Sequence, residues 1–160
     1  MRYEDLSKED FDAIVTGELT HYALWLENEL NLIITDYFGV KETRREDFKR
    51  FILLRDGLTF QDKLEIVRGM LPLFGEAGTS INLKQLLKEV EGFKSWRNAM
   101  AHGQDVSGEK WDAKLNICIT TRSGSEKTIE ITPESHEKCL KDAEALLERV
   151  KAARETLKKS

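Results

Sequence analysis

Apolar residues recur at helical spacing over most of the chain and alternate with polar ones in one late stretch. Ser7 with Asp10 makes a capping-box-like start, and Phe11, Ile14 and Val15 follow on one face. Gly17 is expected to weaken or break that run. From Glu18 the pattern strengthens: Leu19, Tyr22, Ala23, Leu26, Leu30, Ile33 and Tyr37 share a face until Gly39 ends the helix. At ~1.5 Å per residue this part spans roughly 30 Å. Trp25 and Leu32 form a second apolar stripe well off the first. Two readings fit it equally: a central helix buried on two sides, or a homodimer surface.

A second helix is expected over residues 41–55, with Thr43 and Glu46 as its capping box and Phe48, Phe51 and Ile52 facing inward. Its Arg44, Arg45, Lys49 and Arg50 either offer RNA a basic strip or pair with nearby acids on a solvated face; the mixed charge favours pairing. Gly57 closes this helix. A third helix is predicted from Thr59 to about Met70, carrying Phe60, Leu64, Ile66 and Val67. Pro72, Gly75 and Gly78 mark a loop without the Gly-x-x-x-x-Gly-Lys pattern of a phosphate cradle. Ser80 or Asn82 then caps a fourth helix with Leu83, Leu86, Leu87, Val90, Phe93 and Met100 on its inner side.

Beyond Gly103 the period changes. Residues 104–110 read as a polar loop. Leu115, Ile117 and Ile119 alternate with polar residues, Arg122-Ser123-Gly124-Ser125 turns the chain, and Ile129 and Ile131 return it. A hairpin is unstable alone, so this one is expected to pack on the helices. Thr132-Pro133-Glu134 starts the last helix, whose apolar stripe is Leu140, Ala143, Leu146, Leu147, Val150 and Leu157.

The expectation is a single mainly α domain over residues 1–160, a bundle of four or five helices with a small two-stranded antiparallel β-hairpin before the C-terminal helix. A chain of 160 residues can bury a real core. A formal net charge of −4 argues mildly against a sequence-blind nucleic-acid binder, which carries a basic surface. The N-terminus lacks the apolar run of a signal peptide, and no stretch has the apolar length of a membrane span. Cys118 and Cys139 are far apart and read as free thiols of a reducing compartment, so the cytoplasm is expected. His21, His102 and His136 show no metal-ligand spacing, and neither a metal nor a cofactor is expected. His21 reads as a core or surface histidine, and His136 as solvent-exposed.

The candidate chemistry lies in Glu91–Gly103. On an ideal helix Arg97 falls inside the apolar face, between Val90 and Phe93, where an unpaired guanidinium is costly. Asn98 and His102, four apart, share a side, while Arg97 and His102 point about 140° apart. A second subunit or a bound group would have to join them. The structural alternative pairs Arg97 with Glu18, Glu27, Glu29 or another carboxylate of the long helix and uses Asn98 and His102 to satisfy helix-end carbonyls, with Gly103 as the C′ residue. The domain would then be a non-catalytic dimeric interaction or RNA-binding module. A nucleotide pocket between helices is a third reading, with no motif in support.

The run Trp96-Arg97-Asn98-Ala99-Met100-Ala101-His102-Gly103, at the end of a late helix in an all-helical chain, resembles the signature of the HEPN superfamily. The resemblance covers roughly residues 18–103 and the last helix; the hairpin at about 113–131 looks like an insertion. It implies a metal-independent endoribonuclease that works as a homodimer, in many cases a toxin or antiviral effector. Arg97 would hold the scissile phosphate, His102 would shuttle the proton, and Asn98 would bind the phosphate or orient His102. The RNA 2′-hydroxyl would be the nucleophile, so DNA would survive. One subgroup carries a tyrosine two residues after the histidine and pairs with a nucleotidyltransferase antitoxin. Here that position is Gln104, so this partner is not implied.

Overall fold

Helix α1 runs over Lys8–Tyr37 in the computed structural model, which describes residues 2–120 and 123–159. Ser7 Oγ accepts from the Asp10 amide at 3.1 Å, so the expected cap forms. Gly17 does not break the helix. Val15 and Leu19, on either side of it, are fully or almost fully buried, and that packing outweighs a glycine's weak helix preference. The helix stops where Gly39 takes φ +59°, a conformation a side chain would disfavour. Its amide donates to the Asp36 carbonyl at 3.1 Å.

The next segment departs from expectation. A 3₁₀ turn at Glu42–Arg44 leads into the short α2, Arg45–Phe48, and then a single π turn at Lys49–Leu53. No side-chain cap forms at the start of either of the first two, so the Thr43–Glu46 box is absent. A π turn closes i to i+5 and slips the inward phase by one residue. Leu53 is therefore buried, while Phe51 and Ile52, expected inside, are 61% and 53% exposed. Three of the four basic residues pair with acids, Arg45 with Asp36 at 2.8 Å, Lys49 with Glu46 at 3.5 Å and Arg50 with Asp47 at 3.3 Å, while Arg44 makes no ion pair among the described residues.

Helix α3, Phe60–Gly69, has a reciprocal capping box between Thr59 and Asp62. The expected loop is instead a 3₁₀ turn, Leu71–Phe74, and a short helix α4, Gly75–Ser80. Gly75, at φ +51°, joins the two. Helix α5 spans Leu83–His102. Strands β1 (Gln104–Asp105), β2 (Leu115–Thr120) and β3 (Glu126–Ile131) follow, then α6, Pro133–Lys158. Thr132 and Ser135 bond reciprocally at the start of α6, the Ser135 amide donating to Thr132 Oγ1 at 3.2 Å. Arg122 of the predicted turn lies outside the described residues.

The fold is mainly helical, with an antiparallel hairpin before the C-terminal helix, as the periodicity predicts. β2 and β3 pair with Leu115 opposite Ile131 and Ile117 opposite Ile129. The two-residue β1, in the expected polar loop, adds a third strand on the other side of β2.

Contacts divide the chain into two compact units. One comprises Met1–Ala23 and Phe93–Glu144. Its core joins Phe11, Val15 and Leu19 of α1 to Met100 of α5 and to Leu115, Ile117 and Ile131 of the sheet. The hairpin thus packs on helices. The other comprises Leu24–Gly92 and Ala145–Ser160 and buries Leu26, Leu30, Leu64, Val67, Leu87 and Val90. Among the described residues no helix is long and apolar enough to cross a membrane.

Candidate functional site

The end of α5 is positioned by Gly103. A Cβ there would lie 2.1 Å from Ile117 Cγ2 and 2.6 Å from the Ala99 carbonyl oxygen. Only glycine lets strand β2 approach this closely. The expected reason, a left-handed C′ glycine, is not the operative one, because Gly103 has no positive φ. Its amide does donate to the Ala99 carbonyl, at 2.8 Å. Met100 is in the core, with the partly buried Phe93 and Trp96 packed against the same cluster, so one face of the last turns is held.

Arg97 is half-buried. Phe93, on the same stripe, is itself only partly covered, and the guanidinium is not sealed in a core. Arg97 Nη1 donates to Asn98 Oδ1 at 3.1 Å. Arg97 Nε is buried without a hydrogen-bond partner. His102 is exposed, one turn beyond Asn98. The structure therefore brings Arg97 and Asn98 together and leaves His102 facing solvent, with no hydrogen bond from Asn98 to orient it among the described residues.

The three carboxylates named as structural partners of Arg97 are each engaged elsewhere, and no other carboxylate among the described residues pairs with it. Glu18 meets His136 Nε2 at 2.6 Å and accepts from the Tyr3 hydroxyl at 3.3 Å. Glu27 pairs with the buried Lys63. Glu29 pairs with Arg154 at 3.4 Å.

His136 is not exposed, as expected, but 2% accessible. Its ring lies edge-on to Tyr3 at 5.5 Å and Phe11 at 6.3 Å. The reason is local: α6 follows β3 directly, and the Thr132–Ser135 cap already serves the helix start, so the first turn is free to face the core. A signal existed, because His136 is in phase with Leu140, Ala143 and Leu147. Burial and the neighbouring Glu18 carboxylate raise the Tyr3 phenol above its usual range. His21 is exposed. Cys118 and Cys139 are free and half-buried, and burial pushes the Cys139 thiol up.

Among the described residues no three His, Cys, Asp or Glu side chains are grouped so as to hold a metal ion. The chain matches no protein-family model, no curated protein and no solved structure.

Proposed function

We propose that the chain is a HEPN-like, metal-independent endoribonuclease whose centre is Arg97, Asn98 and His102. The supporting observation is the state of Arg97. Its guanidinium is held on Asn98 and makes no ion pair with a carboxylate among the described residues, which leaves its charge available for a phosphate.

Each residue then has a distinct task. Arg97 binds the non-bridging oxygens of the scissile phosphate. Asn98 positions Arg97 rather than His102. An exposed His102 takes the proton of the 2′-hydroxyl as its oxygen attacks phosphorus. The bond from phosphorus to the 5′-oxygen breaks, leaving a 2′,3′-cyclic phosphate. The departing 5′-oxygen needs a proton, and one chain carries one histidine in the motif. In a two-fold dimer, the second copy's histidine supplies it and ends as the base for the next cycle. Free thiols at Cys118 and Cys139 suit a reducing cytoplasm.

The test is cleavage of mixed transfer RNA and unstructured RNA in EDTA, with wild type and His102→Ala compared. Loss of RNA with wild type alone, cyclic-phosphate ends and intact DNA are expected. Equal loss with both proteins would sink the assignment of the centre. No loss with either, both being folded dimers, would favour a non-catalytic RNA-binding module. A wild-type monomer at micromolar concentration would remove the two-histidine scheme.

A further inference from the structure

A second candidate site lies in the other unit, remote in sequence from the α5 motif and independent of the ribonuclease reading. A cavity of about 330 Å³ opens between the last turn of α1, the junction of the 3₁₀ turn with α4, and the last turn of α6. That volume is at the small end of the usual range for small-molecule pockets, roughly 300–1,000 Å³. Tyr37, Leu73 and Phe74 form much of its apolar lining. The Tyr37 and Phe74 rings meet edge to face at 5.3 Å, which fixes their planes.

The polar lining is unbalanced. Asp36 is an acceptor on the wall, and its Oδ1 is already taken by Arg45 at 2.8 Å. Arg154 and Lys158, four residues apart on α6, project on the same side. Arg154 reaches Glu155 through Nη2 at 3.2 Å and lies 3.4 Å from Glu29 through Nε, without a hydrogen bond from that buried atom. Its Nη1, the Lys158 ammonium and the Tyr37 hydroxyl have no hydrogen-bond or ion-pair partner among the described residues. Three residues, each with a donor that no described residue takes up, therefore line a space with an aromatic wall. Gly75, also on the lining, has nothing within 4 Å of where a Cβ would stand, so no side chain crowds the lining there.

From this juxtaposition we infer that the cavity binds a small organic anion: a carboxylate or phosphate group held by Arg154, Lys158 and Tyr37, on a flat apolar body packed against Leu73 and Phe74. The charged group satisfies the three donors and the apolar body covers the aromatic wall. Neither half alone uses the whole lining. The carbonyls at the ends of α1 and α6 oppose an anion, as does the Asp36 carboxylate that Arg45 already pairs, so the two cations of α6 are what make the site anion-selective.

The experiment is a titration of the full chain with phenyl phosphate, benzoate, inorganic phosphate and phenol, followed by amide chemical shifts in two-dimensional NMR. Saturable shifts at Tyr37, Phe74 and Lys158 with phenyl phosphate or benzoate are expected, and which of the two binds tighter names the charged group. Inorganic phosphate and phenol should each bind at least tenfold more weakly. Lys158→Gln should weaken binding about tenfold, the usual scale for one charge-assisted contact. Lys159→Gln, the neighbouring cation off the lining, should not. Leu73→Trp, on a side chain already 58% exposed, should block the cavity without disturbing the fold. No saturable shift with either aromatic anion at millimolar concentration would overturn the inference. So would equal binding by wild type and Lys158→Gln, or phenol or inorganic phosphate binding as tightly as the aromatic anions.

Discussion

His136 and Glu18 stand 2.6 Å apart, joining the first turn of α6 to α1 across 118 residues of sequence. The histidine is almost wholly buried, while the glutamate side chain is 38% accessible. The pair therefore sits at the edge of the core, with Tyr3 bonding to the same carboxylate oxygen. His136→Phe keeps the ring against Tyr3 and Phe11 and deletes the hydrogen bond. It should cost about 1–2 kcal/mol, after allowance for solvent around Glu18. His136→Ala also removes the ring packing and should cost more, about 2–4 kcal/mol. Urea denaturation measures both, and a Phe variant as stable as wild type would show that the bond contributes nothing.

Gly103 marks the place where α5 and β2 touch. Gly103→Ala should destabilise by about 1–3 kcal/mol, the usual cost of overpacking, because the new methyl meets both Ile117 Cγ2 and the Ala99 carbonyl. Adding Ile117→Leu removes the β-branch and relieves the first clash, leaving the second. The double variant should recover part of the loss, and thermal melting of the four proteins tests this. Full additivity would place the strain somewhere else.

Much of this arrangement was readable from residue order. Ser7 and Thr132 start helices where their spacing to Asp10 and Pro133 predicts, because a cap is a local bond, and the third helix begins at Thr59 as its pattern suggests. The alternation of Leu115, Ile117, Ile129 and Ile131 predicts the strands and the buried face. What periodicity missed depends on tertiary context. The π turn at Lys49–Leu53 shifts the inward phase by one residue, which a 3.6-residue template cannot register. Gln104–Asp105 becomes a strand only because β2 offers its edge. At the end of α5 residue order offers Arg97, Asn98 and His102 as candidates but does not predict the Arg97–Asn98 bond, since adjacent helical residues do not ordinarily face each other.

Glu29 predicts a pH response. Burial raises its carboxyl pKa, against the opposing pull of Arg154 and Lys151. A carboxyl with a raised folded pKa binds more protons folded than unfolded. Its contribution to stability therefore falls as pH rises from the unfolded value to the folded one, and is level above that. Glu29→Gln cannot titrate. The stability of wild type minus that of Glu29→Gln should thus decline through the acid range and flatten toward neutrality. Other carboxylates, such as Glu89 held low by Arg149, slope the opposite way and cancel in the difference. Paired urea titrations between pH 3 and pH 7 decide it, and a difference that rises with pH would reverse the assignment.

The ribonuclease proposal makes its sharpest demand on Asn98. If Asn98 positions Arg97, then Asn98→Ala frees the guanidinium without removing its charge, and Asn98→Asp replaces the amide with a carboxylate that captures it. Asp should therefore be worse than Ala, although it is closer in shape. Arg97→Lys keeps a charge but loses the two-pronged geometry and should also impair cleavage strongly. His102→Ala should cost roughly a hundredfold or more, as loss of a general base does. It should also flatten the acidic limb of the pH–rate profile, which the Asn98 variants retain. That split separates a residue that carries the proton from one that holds the phosphate ligand. If Asn98→Ala instead flattened the same limb, Asn98 would act through His102, and the bond to Arg97 would not be the one that matters for turnover.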